Sequence, residues 1–362
     1  RSAAADFSQL VPPAIPVRLR DVPLRAVHGG PVTPRLVATV PVRDADFADE
    51  LAADLRSSLS EKPRKIPSRY LYDSLGSALF DAICELPWYR ITRAEIRLLA
   101  THALGIWSAT SPLDRIIELG AGDGRKLATL LSGRPRALAM PRIDLVDISS
   151  TALDSAARAV AAAEGTRVVT HRAAYEAGLD DAAGTGPRGR ALVLFLGSNI
   201  GNFDPPAADA FLRGIARRLR PGDALLLGAD LVKPESELLL AYDDPLGVTA
   251  AFNLNLLLRI NRELGADFDP AGFRHRATWN AGASRVEMHL VSRRRQTVRI
   301  PGAGLRLDLQ VGETIWTESS YKYRPEDVLE MLERAGFAEA RQWRDTRAGF
   351  LLSLCEPQSE AG

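Results

Sequence analysis

The chain has few cysteines, no long apolar run and almost no excess of charge. Its two cysteines, Cys84 and Cys355, stand among apolar residues, which predicts buried free thiols in a reducing compartment rather than a disulfide framework. No apolar stretch approaches the roughly 20 residues that span a bilayer, and the first residues lack the apolar segment of a secretory signal. We therefore expect a cytoplasmic protein with no membrane partner.

The balance of charge and the spacing of the histidines argue against two further classes of protein. There are 46 basic and 45 acidic residues, and the resulting formal charge of +1 gives no field suited to a phosphate backbone. Nucleic acid is therefore not an expected partner. The five histidines show no paired spacing typical of metal ligands, and we predict no metal.

What the chain does have is enough length and apolar content for more than one core. Its 362 residues predict two domains, or one large domain with a subsidiary one. Residues 1–43 are rich in proline and glycine, and we expect an extended or flexible arm there. From Asp44 onward, the spacing of Phe47, Leu51 and Leu55 predicts a helix, and further helices follow with a break at Pro87.

Strand and helix patterns alternate through the middle of the chain. Apolar runs end just before Gly120, at Asp147, just before Gly197 and at Asp230, and helical patterns separate them. Such alternation is typical of an α/β fold with a doubly wound, mostly parallel sheet. We expect a Rossmann-like core, with ligands at the carboxyl ends of its strands.

The turn after the first of these strands has the clearest chemical pattern. Gly120, Gly122 and Gly124 form a tight strand-to-helix turn that allows a ligand to approach the backbone, although a purely structural turn is the alternative. It is not a P-loop and only loosely resembles the dinucleotide pattern. Asp147, at the end of the second strand, is placed to bind ribose hydroxyls. We favour S-adenosylmethionine over a nicotinamide cofactor, which normally uses a helix N-terminus to hold its pyrophosphate.

The segment WTESSYKYRPEDV, residues 316–328, predicts a strand followed by a helix. The two-residue period of a strand places Glu318, Ser320 and Lys322 on one face, and Ser319 and Tyr321 on the other. An edge strand facing solvent is one interpretation, because exposed strands often have charges that prevent pairing. The segment alone gives no role to Lys322.

Segments along the chain from about Asp44 to its end resemble the ergothioneine-pathway histidine α-N-methyltransferases. The similar segments include YLYDSLGSALFDAICELPWYRITRAE, IELGAGDGRKL, FLGSNIGNFDP, LLLGADLVKP, AYDDPLGVTAAFNLNLLLRINRELGADFD, RVEMHLVS and TESSYKYRPEDV. The blocks around Asn202, Tyr242 and Glu318 are distinctive, because other S-adenosylmethionine enzymes share only the glycine turn. The resemblance implies an enzyme that trimethylates the α-amino group of L-histidine to hercynine by in-line methyl transfer.

The resemblance also implies a substrate site. Asn202 and Tyr242 match residues that bind the α-amino and carboxylate groups, although each could instead be a turn or helix residue of the core. Glu318 and Ser320, with Tyr89, match residues that bind the imidazole, and a methionine packs beside the ring. A carboxylate and a hydroxyl suit the one N–H and one bare nitrogen of neutral imidazole. The implied substrate-binding residues are Tyr89, Asn202, Tyr242, Met288, Glu318 and Ser320.

A cofactor site is implied in the same way. The glycine turn should contact the methionine part of S-adenosylmethionine and Asp147 its ribose. Tyr72 and Phe80 match aromatic residues near the sulfonium, where a ring face is favourable, although their spacing would also suit one apolar stripe of a helix. The implied cofactor-binding residues are Tyr72, Phe80, Gly120, Gly122, Asp147 and Tyr175.

The chain departs from the family pattern at two places. Arg90 and Ile91 replace a tyrosine and a proline beside Tyr89, so the loop there is expected to differ in shape. Ala174 stands before Tyr175 where the family usually has an aspartate, which leaves a carboxylate contact to adenine unsupported.

The positions of the motifs predict three parts of the chain. They are the arm (1–43), a substrate-binding domain (44–92 with 234–321) and an S-adenosylmethionine-binding domain (93–233 with 322–362). We expect a monomer acting on histidine and its mono- and dimethyl forms, and we identify no general base. Two alternatives are an α-N-methyltransferase for another amino acid, such as a tryptophan derivative, and a non-catalytic regulatory module that binds S-adenosylmethionine.

Overall fold

The computed structural model describes residues 36–40, 44–184, 189–338 and 341–358. The arm predicted for residues 1–43 lies outside these ranges, except for residues 36–40. The helices are α1 (Asp44–Ser60), α2 (Ser74–Glu85), α3 (Ile91–Thr110), α4 (Arg125–Ser132), α5 (Ser150–Ala161), α6 (Tyr175–Gly184), α7 (Pro205–Arg218), α8 (Glu235–Tyr242), α9 (Val248–Leu264) and α10 (Pro325–Arg334). The strands are β1 (Leu36–Val40), β2 (Arg115–Leu119), β3 (Arg142–Asp147), β4 (Arg167–Arg172), β5 (Ala191–Phe195), β6 (Ala224–Asp230), β7 (Phe273–Asn280), β8 (Arg285–Ser292), β9 (Gln296–Ile300), β10 (Leu305–Leu309), β11 (Thr314–Tyr321), β12 (Arg341–Asp345) and β13 (Phe350–Cys355).

Eight strands of the described residues form one sheet in the order β1-β4-β3-β2-β5-β6-β13-β12. The strands from β1 to β6 in this order run parallel, and β13 is antiparallel to both of its neighbours. The chain adds strands on one side of β2 and then on the other, so the carboxyl ends of β2 and β5 border the crevice in which such sheets bind ligands. The predicted doubly wound, mostly parallel sheet is confirmed.

Both faces of this sheet are covered because its central strands are apolar on both sides. The side chains of Ile116 and Leu192 belong to one buried cluster, which includes residues of α3, α4 and α5. Those of Ile117 and Val193 belong to a second cluster, with residues of α6, α7 and α10. Full burial of such a side chain contributes about 1.5–3 kcal/mol. The core therefore holds the strand ends that border the ligand crevice in fixed positions.

The helices before β2 fold where the sequence predicts them. Leu51 and Leu55 of α1 are fully buried, and α2 and α3 are separated around Pro87. The carboxylate of Asp73 caps α2 by accepting from the Gly76 N–H, at 2.7 Å. It also accepts from the amide of Asn255 on α9, at 2.7 Å, which ties α2 to α9.

A smaller antiparallel sheet has the order β11-β8-β7, and α8 and α9 pack against it. The register of β11 against β8 shifts between Trp316 and Glu318, so Thr317 is an extra residue, and Glu318 pairs with Met288. Such a bulge changes the direction of the strand and of the side chains that follow it. Although β11 lies at the edge of this sheet, the interpretation of a solvent-facing strand is wrong, because Glu318 and Ser320 line an internal cavity.

Two further features of the described residues bear on the sequence predictions. Cys84 and Cys355 are buried free thiols, as predicted. No helix among these residues is both long enough and apolar enough to cross a bilayer. The division into a substrate-binding and a cofactor-binding domain stays a prediction.

Candidate active site

The glycine turn after β2 is held against two neighbouring loops. Gly120 has a φ of +80°, and a Cβ there would lie 2.7 Å from Asn199 Nδ2, so any larger residue would both strain the backbone and displace Asn199. The Gly122 N–H donates to Asp147 Oδ2 at 3.1 Å, and the Ser149 N–H donates to Oδ1 at 2.9 Å. Asp147 therefore fixes the turn as well as facing the crevice. Burial raises its pKa above the ordinary value.

A cavity of about 390 Å³ opens beside this turn. Its volume lies in the range of small-molecule and cofactor sites. A Cβ at Gly122 would meet nothing within 4 Å, so this part of the backbone is open to a ligand. All the residues that the sequence assigned to the cofactor line this cavity, namely Tyr72, Phe80, Gly120, Gly122, Asp147 and Tyr175. The residues present thus fit S-adenosylmethionine, since they combine a backbone approach, a carboxylate and aromatic faces.

The sequence reasoning missed Lys126, which also lines the cavity. Its Nζ lies 3.4 Å from Glu95 Oε2, and Glu95 in turn accepts from the Gly197 N–H. A lysine in the first turn of the helix after the glycine turn was the available signal. Its ammonium can bind a carboxylate, such as that of the methionine part of the cofactor. Glu118, at the end of β2, is fully buried, and burial raises its pKa to about 8.

A second, smaller cavity adjoins the first. It has a volume of about 30 Å³, and it is lined by every residue that the sequence assigned to the substrate, namely Tyr89, Asn202, Tyr242, Met288, Glu318 and Ser320. Tyr72, Phe80, Tyr89 and Asn202 line both cavities. A volume of this size holds about two water molecules, so the lining side chains must move apart to admit an amino acid.

Aromatic rings form the wall shared by the two cavities. Tyr72 and Phe80 have ring centroids 5.6 Å apart, Phe80 and Tyr89 are 6.1 Å apart, and Tyr89 and Tyr242 are also 6.1 Å apart. Tyr72 precedes the first residue of α2, so the alternative of one helical stripe shared with Phe80 is wrong, although both rings pack against the buried core. The rings instead meet where a cofactor and a substrate would face each other.

Although Arg90 and Ile91 differ from the family pattern, the neighbouring Tyr89 lines both cavities. Arg90 donates to Glu237 at 3.1 Å on the surface, and Ile91 is buried at the start of α3. Tyr175, which follows Ala174, packs edge-to-face on Phe195 with ring centroids 5.2 Å apart and borders the cofactor cavity.

Asn202 reaches the cavities from a short turn after β5. It ends the 3-10 turn Asn199–Asn202, which packs closely on β11. A Cβ at Gly201 would lie 2.7 Å from the carbonyl oxygen of Tyr321, so this close approach requires glycine. The turn therefore places the Asn202 amide beside the two cavities, next to the strand that holds Glu318.

Glu318 has an unusual electrostatic environment. Burial raises the pKa of its carboxyl to about 7, although the nearby Lys322 opposes this effect. Among the described residues, its carboxylate has no hydrogen-bond partner, whereas Ser320 Oγ lies 2.8 Å from the hydroxyl of Tyr242. A half-buried carboxylate without a partner has a desolvation cost, and such groups are concentrated at binding and catalytic sites.

The sheet, the glycine turn and the paired cavities define the class of the protein as an S-adenosylmethionine-dependent methyltransferase with an α/β Rossmann-like fold. A profile of the family described as "Histidine-specific methyltransferase, SAM-dependent" matches residues 51–357. The chain belongs to this family.

Curated relatives agree with this assignment. The chain is 42% identical over 309 residues to a histidine N-alpha-methyltransferase of Mycolicibacterium smegmatis, covering 85% of this chain and 95% of that protein. It is 41% identical to a protein of the same name from Mycobacterium tuberculosis, covering 84% and 94%. Ergothioneine biosynthesis protein 1 of Neurospora crassa is 28% identical, over 78% of this chain and 32% of that protein.

Proposed function

We propose that the protein transfers three methyl groups, one after another, from S-adenosylmethionine to the α-amino group of L-histidine, which yields hercynine for ergothioneine biosynthesis. The observation that supports this most is the contact between the two cavities. Asn202 and the aromatic wall belong to both, and Glu318 and Ser320 line the substrate side alone. The printed names of the relatives at 42% and 41% identity support histidine as the substrate. We further propose a monomer that works in the cytoplasm.

The substrate ring binds at Glu318 and Ser320. Neutral imidazole has one N–H, which the carboxylate accepts, and one bare nitrogen, which accepts from a hydroxyl. Met288 pairs with Glu318 across the two strands and is fully buried, so it packs beside the ring. An amino acid whose side chain cannot satisfy both groups leaves them buried and unpaired, and this penalty gives specificity for histidine.

The head group binds at Asn202 and Tyr242. The amide of Asn202 can both donate and accept, which suits the carboxylate and the amine of an amino acid. Burial disfavours the charged ammonium and so favours the neutral amine that is needed for attack. S-adenosylmethionine, when bound, supplies a methyl group on a sulfonium centre. Tyr72 and Phe80 exclude water and present ring faces to positive charge, while the shared wall aligns the amine.

Titration calorimetry tests this proposal. In the presence of S-adenosylhomocysteine, histidine should bind, and tryptophan and its derivatives should not. The matched variant Glu318→Ala should lose histidine affinity and keep its affinity for S-adenosylhomocysteine, because Glu318 lines only the substrate cavity. Binding of a tryptophan derivative in preference to histidine would assign another amino acid. Cofactor binding without turnover of any amino acid would assign a non-catalytic module.

A further inference from the structure

Of the three residues that the strand period of the 316–328 segment places on one face, Lys322 is the one that the substrate assignments do not use, and it is buried against two residues that line the substrate cavity. Its side chain is fully buried. Its Nζ lies 2.8 Å from the Tyr242 hydroxyl, 2.8 Å from Ser320 Oγ and 3.0 Å from Asp230 Oδ2. An ammonium has three N–H donors. These three oxygen atoms therefore use all of them.

The charge of Lys322 is maintained by its partners. Burial opposes the charged form, but Tyr242 and Asp230 outweigh burial and hold the pKa of Lys322 above its ordinary value. Asp230 is itself buried and is held by a second lysine, because Lys233 Nζ donates to Asp230 Oδ1 at 2.6 Å. Lys233 also donates to the carbonyl oxygen of Ala348, and it has no hydrogen bond to Tyr242 or Ser320.

A count of hydrogens limits what the two hydroxyls can do. Tyr242 and Ser320 both accept from Lys322, and their oxygens lie 2.8 Å apart, so one hydroxyl hydrogen lies between them. The second hydroxyl hydrogen finds no acceptor among these three residues and must point away from them. Because both hydroxyls line the substrate cavity, this hydrogen points into the cavity. The group therefore presents a hydrogen-bond donor to the ligand.

Glu318 decides which hydroxyl provides that donor. It lies two residues before Ser320 on the same face of β11, and its carboxylate can only accept when ionised. A neutral imidazole that donates to Glu318 turns its bare nitrogen towards a donor, and the neighbouring Ser320 is that donor. Tyr242 then donates to Ser320, and its oxygen keeps one lone pair for the substrate amine.

We propose that Lys322, held by Asp230, is a positioning residue that commits Ser320 to donating a hydrogen bond to the bare ring nitrogen of the substrate. This inference rests on the proposed function. Without the ammonium, the Ser320 hydroxyl is free to rotate and donate to Tyr242, which leaves the ring nitrogen unpaired. Lys322 thus contributes to specificity without touching the substrate.

The test compares histidine with β-(2-pyrrolyl)alanine and β-(3-pyrrolyl)alanine, which keep a ring N–H at one or the other imidazole nitrogen position and have a carbon at the remaining one, and the better substrate of the two serves as the analogue. The ratio of kcat/KM for histidine to kcat/KM for this analogue should be about tenfold to a hundredfold in the wild type, the cost of an unpaired buried donor. In Lys322→Met and in Ser320→Ala the ratio should fall to within about threefold of one, and the double variant should show no further fall. Lys233→Met is the matched control, because it removes the other lysine on Asp230, and its ratio should equal that of the wild type.

A second measurement uses the wild type and so does not depend on folding of a variant. ¹⁵N NMR of ring-labelled histidine bound with S-adenosylhomocysteine should show a neutral imidazole with one protonated nitrogen and one hydrogen-bonded bare nitrogen. A bound imidazolium would overturn the inference, because a second N–H cannot face a donor. An unchanged ratio in Lys322→Met would also overturn it while leaving the proposed function intact. Absence of methyl transfer to histidine by the wild type would instead remove the proposed function, and the inference with it.

Discussion

Replacement of Glu318 by glutamine should change how the stability of the ligand-free protein depends on pH. Burial raises the pKa of Glu318 from about 4.5 in the unfolded chain to about 7 in the folded protein. Between these values the unfolded state releases its proton more readily than the folded state, so stability falls as pH rises. The difference of about 2.5 pH units, at about 1.4 kcal/mol per unit, corresponds to about 3 kcal/mol. Glutamine does not titrate and avoids this loss.

The quantity to measure is the free energy of unfolding of both proteins in denaturant, at about pH 4.5 and about pH 8. Relative to Glu318→Gln, the wild type should lose about 3 kcal/mol between these two conditions. Other titrating groups are common to both proteins and cancel in the comparison. A difference that does not change with pH would refute the claim that Glu318 is a half-buried carboxylate without a partner whose pKa is raised by burial.

Glu287→Gln on the neighbouring strand β8 is the matched control. Burial opposes ionisation of Glu287, but hydrogen bonds from Asn280 and Arg285 outweigh burial and lower its pKa. Its ionised form therefore stabilises the folded state above the unfolded pKa, and this contribution is lost as pH falls. The wild type should gain stability relative to Glu287→Gln as pH rises, with a sign opposite to that for Glu318. The same sign for both variants would contradict the account.

Three further predictions concern the head group, the cofactor and the backbone. Asn202→Ala should lower kcat/KM by about tenfold to a hundredfold for histidine and for its mono- and dimethyl forms, measured separately, because the hydrogen bond from the amide to the substrate carboxylate is common to all three. Loss with only one form would contradict the head-group role. Asp147→Ala should weaken S-adenosylhomocysteine binding by at least about tenfold in calorimetry, since it removes acceptors at both the ribose and the glycine turn; unchanged affinity would contradict this. Gly201→Ala should destabilise by about 1–3 kcal/mol because its Cβ meets Tyr321, whereas Gly214→Ala inside α7 should stabilise by about 0.5–1 kcal/mol. Equal stability of the two variants would count against the close approach at Gly201.

The sequence predicts the central part of the fold well because local signals and tertiary environment agree there. The apolar runs at β2, β3, β5 and β6 are strands buried on both faces, and β2 and β5 lead into glycine-containing turns. The strand β4 and the hairpin β12–β13 were not predicted. Strand β4, RVVTHR, is short and mixes charged with apolar residues, and its place in the sheet depends on pairing with β3.

The membership of the site was predicted more completely than its internal contacts. Resemblance to a family identified the residues that line both cavities, because those residues stand in distinctive segments. It gave no information on hydrogen bonds between side chains distant in sequence, such as Tyr242 and Ser320, 78 residues apart. The role of Lys322 could not be predicted for this reason. Lys322 follows β11 of the smaller sheet, whereas its partner Asp230 lies on β6 of the large sheet.

The most direct test of the central claim is mass spectrometry of the products formed from an equimolar mixture of the proteinogenic amino acids with S-adenosylmethionine. The account predicts that histidine alone gains methyl groups, that it gains three, and that all three are on the α-nitrogen. Methylation of another amino acid in preference to histidine, or methylation of the imidazole ring, would contradict it.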